Sequence, residues 1–384
     1  MSAGGDLAIH IPFNRSSTVG KELEYIAESL RIGQIAGNQA FGRRCERLLE
    51  EVTGARRVLL TSSCTHALEM SAYLLDLRPG DEVLVPAFTF VSTANAFVAR
   101  GARPVFVDVR ADTLNLDERL LEERIGPRSR AVVPVHYGGV ACEMDPILDV
   151  ARRHGLVVVE DNAHGLFGRY RGRALGTLGD LATLSFHETK NLTSGEGGAL
   201  LINAERWIER AEVVREKGTN RVRFSRGEVD RYTWVDRGSS YVMSDVLAAF
   251  LYGQLEQWRR IQERRREIWT AYDAGLADWA GSCGVRRPVI PAHCEQAFHL
   301  YYLLLPSREA REGLIAHLRA RGILAVFHYL PLNVSPVGRE LGGLPGECPV
   351  SEEVSERLVR LPFFNTLTHE EQAEVIGAVV AFRP

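Results

Sequence analysis

From residue 57 onward the apolar residues follow two alternating rhythms. Short runs rich in Val, Leu and Ile occur at "RVLLT" from Arg57, "DEVLVP" from Asp81, "RPVFVDV" from Arg103, "RAVVPVH" from Arg130, "LVVVED" from Leu156, "LATLSF" from Leu181 and "GGALLIN" from Gly197. Between them apolar positions recur at helical spacing, in stretches ending near Leu77 and Arg100 and in "LDERLLEERIG" from Leu116 and "DPILDVARRHG" from Asp145. Continuous apolar strands separated by helices predict an α/β domain whose mostly parallel sheet is covered on both faces. Upstream, "GKELEYIAESL" predicts an amphipathic helix opened by Lys21. Beyond about residue 240 the rhythm changes to one long predicted helix, "SDVLAAFLYGQLEQWRRIQERRREIWTAYDAGL" from Ser244, followed by short strands and helices. The expected organisation is a large domain over 1–240 and a smaller C-terminal α+β domain over 241–384.

Composition narrows the function classes. The 384 residues are 45% hydrophobic and 25% charged, which is ordinary for a folded globular chain. Formal net charge is -3 and no basic block is interleaved with aromatics, so a nucleic-acid partner is not expected. The "RRIQERRREIW" run from Arg259 reads as the solvated face of a helix. No apolar run approaches the roughly 18 residues of a membrane span. "MSAGGDLAIH" lacks the marks of a signal peptide, and the expected location is cytoplasmic. The cysteines show no CxxC and the histidines no HExxH, so free thiols and no metal site are expected.

Ligands of parallel sheets bind outside the carboxyl ends of the strands. Here those ends carry Thr61 to Cys64, Pro86 to Phe88, Asp108, His136 to Gly138, Glu160 with Asp161, and Ser185 to His187. "LLTSSCTHAL" runs from a strand into a helix through small hydroxyl residues. The N–H groups of Ser63, Cys64 and Thr65 would make an anion site there, and an ordinary helix cap reads equally well. Neither a GxxxxGK[ST] loop nor GxGxxG after a strand is present, so a nicotinamide enzyme is not expected.

The chain has only three lysines, Lys21, Lys190 and Lys217, among 46 Lys and Arg residues. Arg cannot lose its proton, whereas a neutral Lys amine can attack a carbonyl. Lys21 and Lys217 suit helix ends; Lys190, after an apolar strand and before a Gly-rich loop, suits imine chemistry. Asp161 leaves a buried strand 29 positions earlier. The pyridinium nitrogen of pyridoxal phosphate is one partner that would stabilise its carboxylate, and a helix cap is the plainer role. Lys190 would then hold the cofactor as an imine and, once displaced, move the proton as base and acid. Ser185 could add a hydroxyl to the phosphate.

Together "SSCTHAL", "PAFTFVSTANA", "VEDNAHG", "SFHETKN" and "GEGGAL" resemble, in order and separation, the sugar-nucleotide aminotransferases of the DegT/DnrJ/EryC1/StrS family, with the pyridoxal-phosphate fold type I. The resemblance implies Lys190 as the Schiff-base lysine and Asp161 as the pyridinium partner. It implies His164 near the cofactor's phenolic oxygen, Phe90 on the ring face with Phe88 as competitor, and Ser63, Cys64 and Ser185 at the phosphate. Lys190 speaks against the family's dehydratase branch, which has His there. The family commonly carries a GxNxR segment whose Asn reaches the neighbouring subunit's phosphate; this chain reads "GSSYVM" from Gly238, leaving Ser240 or Asn220 for that contact.

The stretch "REKGTNRVRFSRGEVDRYTWVDRGSSY" resembles the subgroup making dTDP-4-amino-4,6-dideoxygalactose. The subgroup implies transfer from L-glutamate to C4 of dTDP-4-keto-6-deoxy-D-glucose in a homodimer with interfacial sites. Arg221, Arg231 and Arg237 become candidates for the nucleotide's phosphates, against surface ion pairs for each. "VFHYLPL" from Val326 is similar to the family's HYxPL and places His328 at the substrate pocket. The Arg- and Ala-rich composition suggests an actinobacterial deoxysugar pathway, such as that of calicheamicin. The competing expectations are action at C3, a UDP-sugar substrate, or a non-catalytic regulator of the same fold.

Overall fold

The computed structural model describes residues 8–384. Strands β1 (Arg57–Thr61), β2 (Glu82–Pro86), β3 (Arg103–Val107), β4 (Ser129–Val132) and β5 (Val157–Asp161) precede the two-residue β6 (Arg169–Tyr170) and β7 (Arg173–Ala174), then β8 (Leu181–Ser185) and β9 (Gly198–Ile202). Seven of these form one sheet in the order β1-β9-β8-β5-β4-β2-β3. Only β9 runs against its neighbours, and the other pairings are parallel, as the apolar runs predict. Successive residues of β2 serve different cores: Val83 and Val85 join one buried cluster and Leu84 another, so both faces are covered.

The reversal at β9 positions the chemistry. A parallel return would need a crossover helix, whereas β8 and β9 are joined by the loop 186–197, which stays at the carboxyl edge and carries Lys190. Phe186 N–H continues the ladder to Gly197 O at 2.8 Å, anchoring the base of that loop.

Three local expectations are corrected. The long helix is broken into Asp245–Glu256 and Trp258–Ser282 at Gln257, whose φ of -102° and ψ of 12° are not helical. The first piece buries Ala248, Leu251 and Leu255 with Leu184 and Leu201 of β8 and β9; the second buries Ile268, Tyr272 and Leu276 in the C-terminal core. Two cores in different places bend one amphipathic pattern. "LDERLLEERIG" forms only a 3₁₀ turn, Glu118–Leu120, and one α-turn, Leu121–Arg124, because Ile125 and Gly126 lead into Pro127, which disfavours helix before it. Within the basic run, Arg265 is buried and donates to the carbonyls of Phe298 and His299 and to Asn365 Oδ1.

The C-terminal core gathers around Tyr301, Leu314, Val359 and Val375 and is fed by the antiparallel pair of β11 (Tyr302–Leu304) and β12 (Leu358–Arg360). The two-residue strand β10 (Cys294–Glu295) pairs with β6. Ile11 packs into this C-terminal core, bridged to Ile323, although it lies near the start of the chain. Asp108 accepts from the N–H groups of Val350 and Ser351, both at 2.8 Å, and so ties the helix Pro349–Arg357 to the sheet rather than entering the pocket. Among the described residues no helix is long and apolar enough to cross a membrane, and no cluster of His, Cys, Asp and Glu suits a metal. All six cysteines are free thiols.

Candidate active site

The carboxyl ends of β5 and β8 and the start of the helix Cys64–Leu74 converge on Lys190. Its N–H closes a turn onto His187 O at 2.9 Å. Loss of water around the amine brings its pKa from 10.5 to about 8, against the pull of Cys64 and Asp161 and with help from Arg360. Asp161 ends β5, and burial raises its carboxyl above the usual range, opposed by Thr93, the Ala163 N–H and the charge of Lys190. Thr93 Oγ1 donates to Asp161 Oδ2 at 2.7 Å and Ala163 N–H to Oδ1 at 3.2 Å. Among the described residues, neither Asp161 nor Lys190 is in an ion pair within 4 Å.

The helix start shows the cap directly and leaves its first N–H groups open. Ser63 Oγ accepts from His66 N–H at 3.1 Å, an ordinary cap. The N–H groups at the first turn remain directed along the helix axis toward the pocket, where negative charge is stabilised. Cys64 Sγ lies 3.5 Å from Thr183 Oγ1, and Thr183 pairs in register with Asp161. Burial pushes the Cys64 thiol up to about 12, so it stays protonated. Gly198, which pairs in register with Ser185, must be glycine, because a Cβ there would come within 2.4 Å of Cys64 N and the Ser63 carbonyl carbon. That contact is the physical content of "GEGGAL". Ser185 is half-buried, with its Oγ 3.5 Å from His187 N–H.

Three histidines line the opposite side. His164 stacks on His299 with centroids 4.2 Å apart, and His328 follows at 6.1 Å. Burial holds all three well below the ordinary histidine range, so they are neutral. Asn191, next to Lys190, uses its N–H₂ on Ala297 O and leaves Oδ1 to accept from His299 Nδ1 at 2.9 Å, which fixes that tautomer. Gly138 N–H donates weakly to His164 Nδ1 at 3.4 Å, leaving Nε2 of His164 protonated, 3.4 Å from Tyr329 Oη. His328 Nδ1 bonds the Tyr137 hydroxyl at 2.9 Å.

Of the two phenylalanines, Phe88 is 1% exposed and packed with Tyr137 and Tyr302, whereas Phe90 is 56% exposed at the end of β2, 6.3 Å from the Tyr329 ring. Phe90 is therefore free to cover a ligand. Asn220, Arg231 and Ser240 lie elsewhere, in a segment over 217–240 that is largely exposed. Asn220 Oδ1 accepts from Thr233 N–H at 2.8 Å, Ser240 bridges Glu216, and Arg231 is exposed. None of them hydrogen-bonds the Lys190 group.

Residues 17–380 match the DegT/DnrJ/EryC1/StrS aminotransferase family. The chain belongs to that family. It is 32% identical over 377 residues to the spore coat polysaccharide biosynthesis protein SpsC of Bacillus subtilis, covering 96% of each chain. The aminotransferase TlmJ of Streptoalloteichus hindustanus superposes with a TM-score of 0.87 at 32% identity, covering 98% of each chain. The pyridoxal-phosphate form of the putative sugar aminotransferase Spr1654 of Streptococcus pneumoniae gives 0.89 at 28%, over 96% of this chain and 97% of that one.

The cofactor of this aminotransferase is pyridoxal phosphate, and the donor set suits it. A buried carboxylate without a cation, an amine that sheds its proton near neutrality and an open helix N-terminus match its ring nitrogen, aldehyde and phosphate. Sequence reasoning passed over Thr93, Thr183, Asn191, His299 and Tyr329. Thr93 sits inside "VSTANA" and Asn191 inside "SFHETKN", so motif context could have raised them. His299 carried no local signal.

Proposed function

We propose that the enzyme transfers the amino group of L-glutamate to C4 of dTDP-4-keto-6-deoxy-D-glucose, giving a dTDP-4-amino-4,6-dideoxyhexose, as a homodimer with sites at the interface. The observation that carries the aminotransfer is the Lys190 amine, held at about 8 near an unpaired, buried Asp161. A base with a pKa near the working pH is best placed to take a proton from the donor's α-carbon and return it. Pyridoxal phosphate, when bound, supplies an aldehyde that takes up the amino group and a ring that accepts the electrons the departing proton leaves behind.

The chain's own residues then have distinct tasks. Asp161, oriented by Thr93, holds positive charge on the ring nitrogen. Cys64 N–H and Thr65 N–H at the helix start, with Ser63 and Ser185 alongside, bind the phosphate. Phe90 covers one ring face and excludes water. The neutral His164 is braced by His299 and offers its Nε2–H to the phenolic oxygen. His328 borders the sugar.

The sugar assignment is supported by "HYLPL" and by the 217–240 segment, where Trp234 is 76% exposed beside Val235 and Tyr232. Apolar surface of this kind suits burial by a second subunit. Asn220 or Ser240 would reach that subunit's cofactor phosphate, and Arg231 the nucleotide's diphosphate.

The test is a visible spectrum of the protein with pyridoxal phosphate. L-Glutamate should bleach the band and the keto-sugar nucleotide should restore it, with NMR placing the new nitrogen on C4. A band indifferent to every amino acid would sink the aminotransfer. Nitrogen on C3, or a requirement for a UDP sugar, would replace the substrate while leaving the chemistry intact.

A further inference from the structure

Arg360 is a half-buried cation with no anion among the described residues. It ends β12, pairs across the ladder with Tyr302, and is bonded on both backbone groups to Val326, at 2.7 and 3.1 Å, two residues ahead of His328. Its guanidinium lies over the Phe13 ring, 4.5 Å from the centroid. Among the described residues its side chain makes no ion pair within 4 Å and no hydrogen bond, and its Nε is buried with no partner. Leaving a buried donor of a partly desolvated charge unpaired is costly, so an arginine in this position is unfavourable unless something else satisfies it.

The contrast with Arg265 shows that the fold can satisfy such a group. Arg265 is more deeply buried, and it donates to two carbonyls and an amide oxygen. The backbone partner of Arg360, Val326, leads two residues on to His328, and the charge of Arg360 acts on Lys190, His164, His299 and His328, so it lies within electrostatic reach of the Lys190 group.

We propose that Arg360 binds the α-carboxylate of the amino-acid donor. A guanidinium presents a planar fork matched to a carboxylate. Among the anions this reaction brings in, the α-carboxylate is one bond from the carbon whose proton Lys190 moves. The nucleotide's diphosphate is separated from the reacting carbon by the sugar ring. The proposal rests on the aminotransfer reading and requires only that the donor be an amino acid.

The experiment compares the two half-reactions of the holoenzyme in Arg360→Gln and Arg360→Lys by stopped-flow absorbance. Losing a charge-assisted hydrogen bond should raise the half-saturating L-glutamate concentration about 10- to 100-fold in Arg360→Gln. The keto-sugar half-reaction should change by less than about threefold, and Arg360→Lys should recover part of the loss. Calorimetric binding of 2-oxoglutarate to the holoenzyme should weaken in parallel, while the melting temperature of Arg360→Gln without ligand should not fall.

Equal losses in both halves, or a lower melting temperature with unchanged glutamate dependence, would assign Arg360 to structure and overturn the proposal. Loss confined to the keto-sugar half would assign it to the diphosphate and overturn it equally. Should the wild type ignore L-glutamate, the donor assignment fails, and the same titration with the amino acid it accepts decides Arg360.

Discussion

Glu160 and Asp161 are neighbours on β5, buried to 0% and 5% exposure, and they point to opposite faces of the sheet. On one face Glu160 is saturated: it accepts from Gly176, Leu178 and Gly179 N–H at 2.6 to 2.9 Å and from His136 Nε2 at 2.9 Å. On the other face Asp161 has one hydroxyl and one N–H. The same contrast separates Arg265 from Arg360. Around Glu160 and Arg265 backbone donors or acceptors close on the charge; Asp161 and Arg360 are left short. Under-satisfaction, rather than burial, separates Asp161 from Glu160, and it separates Arg360 from Arg265 as well.

The sharpest break between the two regions is chemical. Lys190→Ala should lower turnover by about 10⁴-fold or more in a steady-state assay while the protein still folds. On the saturated face, Glu160→Gln should cost about 3–5 kcal/mol of stability, read by chemical denaturation, because a donor replaces an acceptor among N–H groups. Asp161→Asn should instead reduce kcat about 10²- to 10³-fold. Its ligand-free melting temperature should hold or rise. A loss of stability there as large as in Glu160→Gln would erase the comparison.

Gly198→Ala tests the helix start. Its Cβ would meet backbone, so about 1–3 kcal/mol of stability and much of the cofactor affinity should go, seen in melting and in cofactor titration.

The smallest expected effect is in pH dependence. The folded pKa of Lys190 is below its unfolded value, so between about 8 and 10.5 the unfolded chain holds more protons and ligand-free stability should rise with pH. Lys190→Met should therefore be more stable than wild type at pH 7, by up to about 3 kcal/mol in chemical denaturation. The gap should narrow toward pH 10. A gap that widened instead would mean that the amine is not desolvated.

Much of this was legible in the chain. The apolar runs predicted all seven sheet strands to within a few residues, because a strand buried on both faces has no polar alternation to blur it. Lys190 stood out because Arg takes nearly every other cationic position. The break at Gln257 was not legible, since the helical pattern runs through it and only the separate cores on either side impose the bend. Nor was the burial of Arg265, whose partners lie some 33 to 100 positions away.

By itself the sequence determined the sheet, the order of the motifs and which residue types could do imine chemistry, since these depend on local pattern and on side-chain chemistry. Only the tertiary structure decided which of two neighbouring carboxylates lacks donors, which phenylalanine is free and that Arg360, unlike Arg265, goes without partners. Satisfaction of a buried charge depends on groups brought together from distant segments, and no local pattern records that.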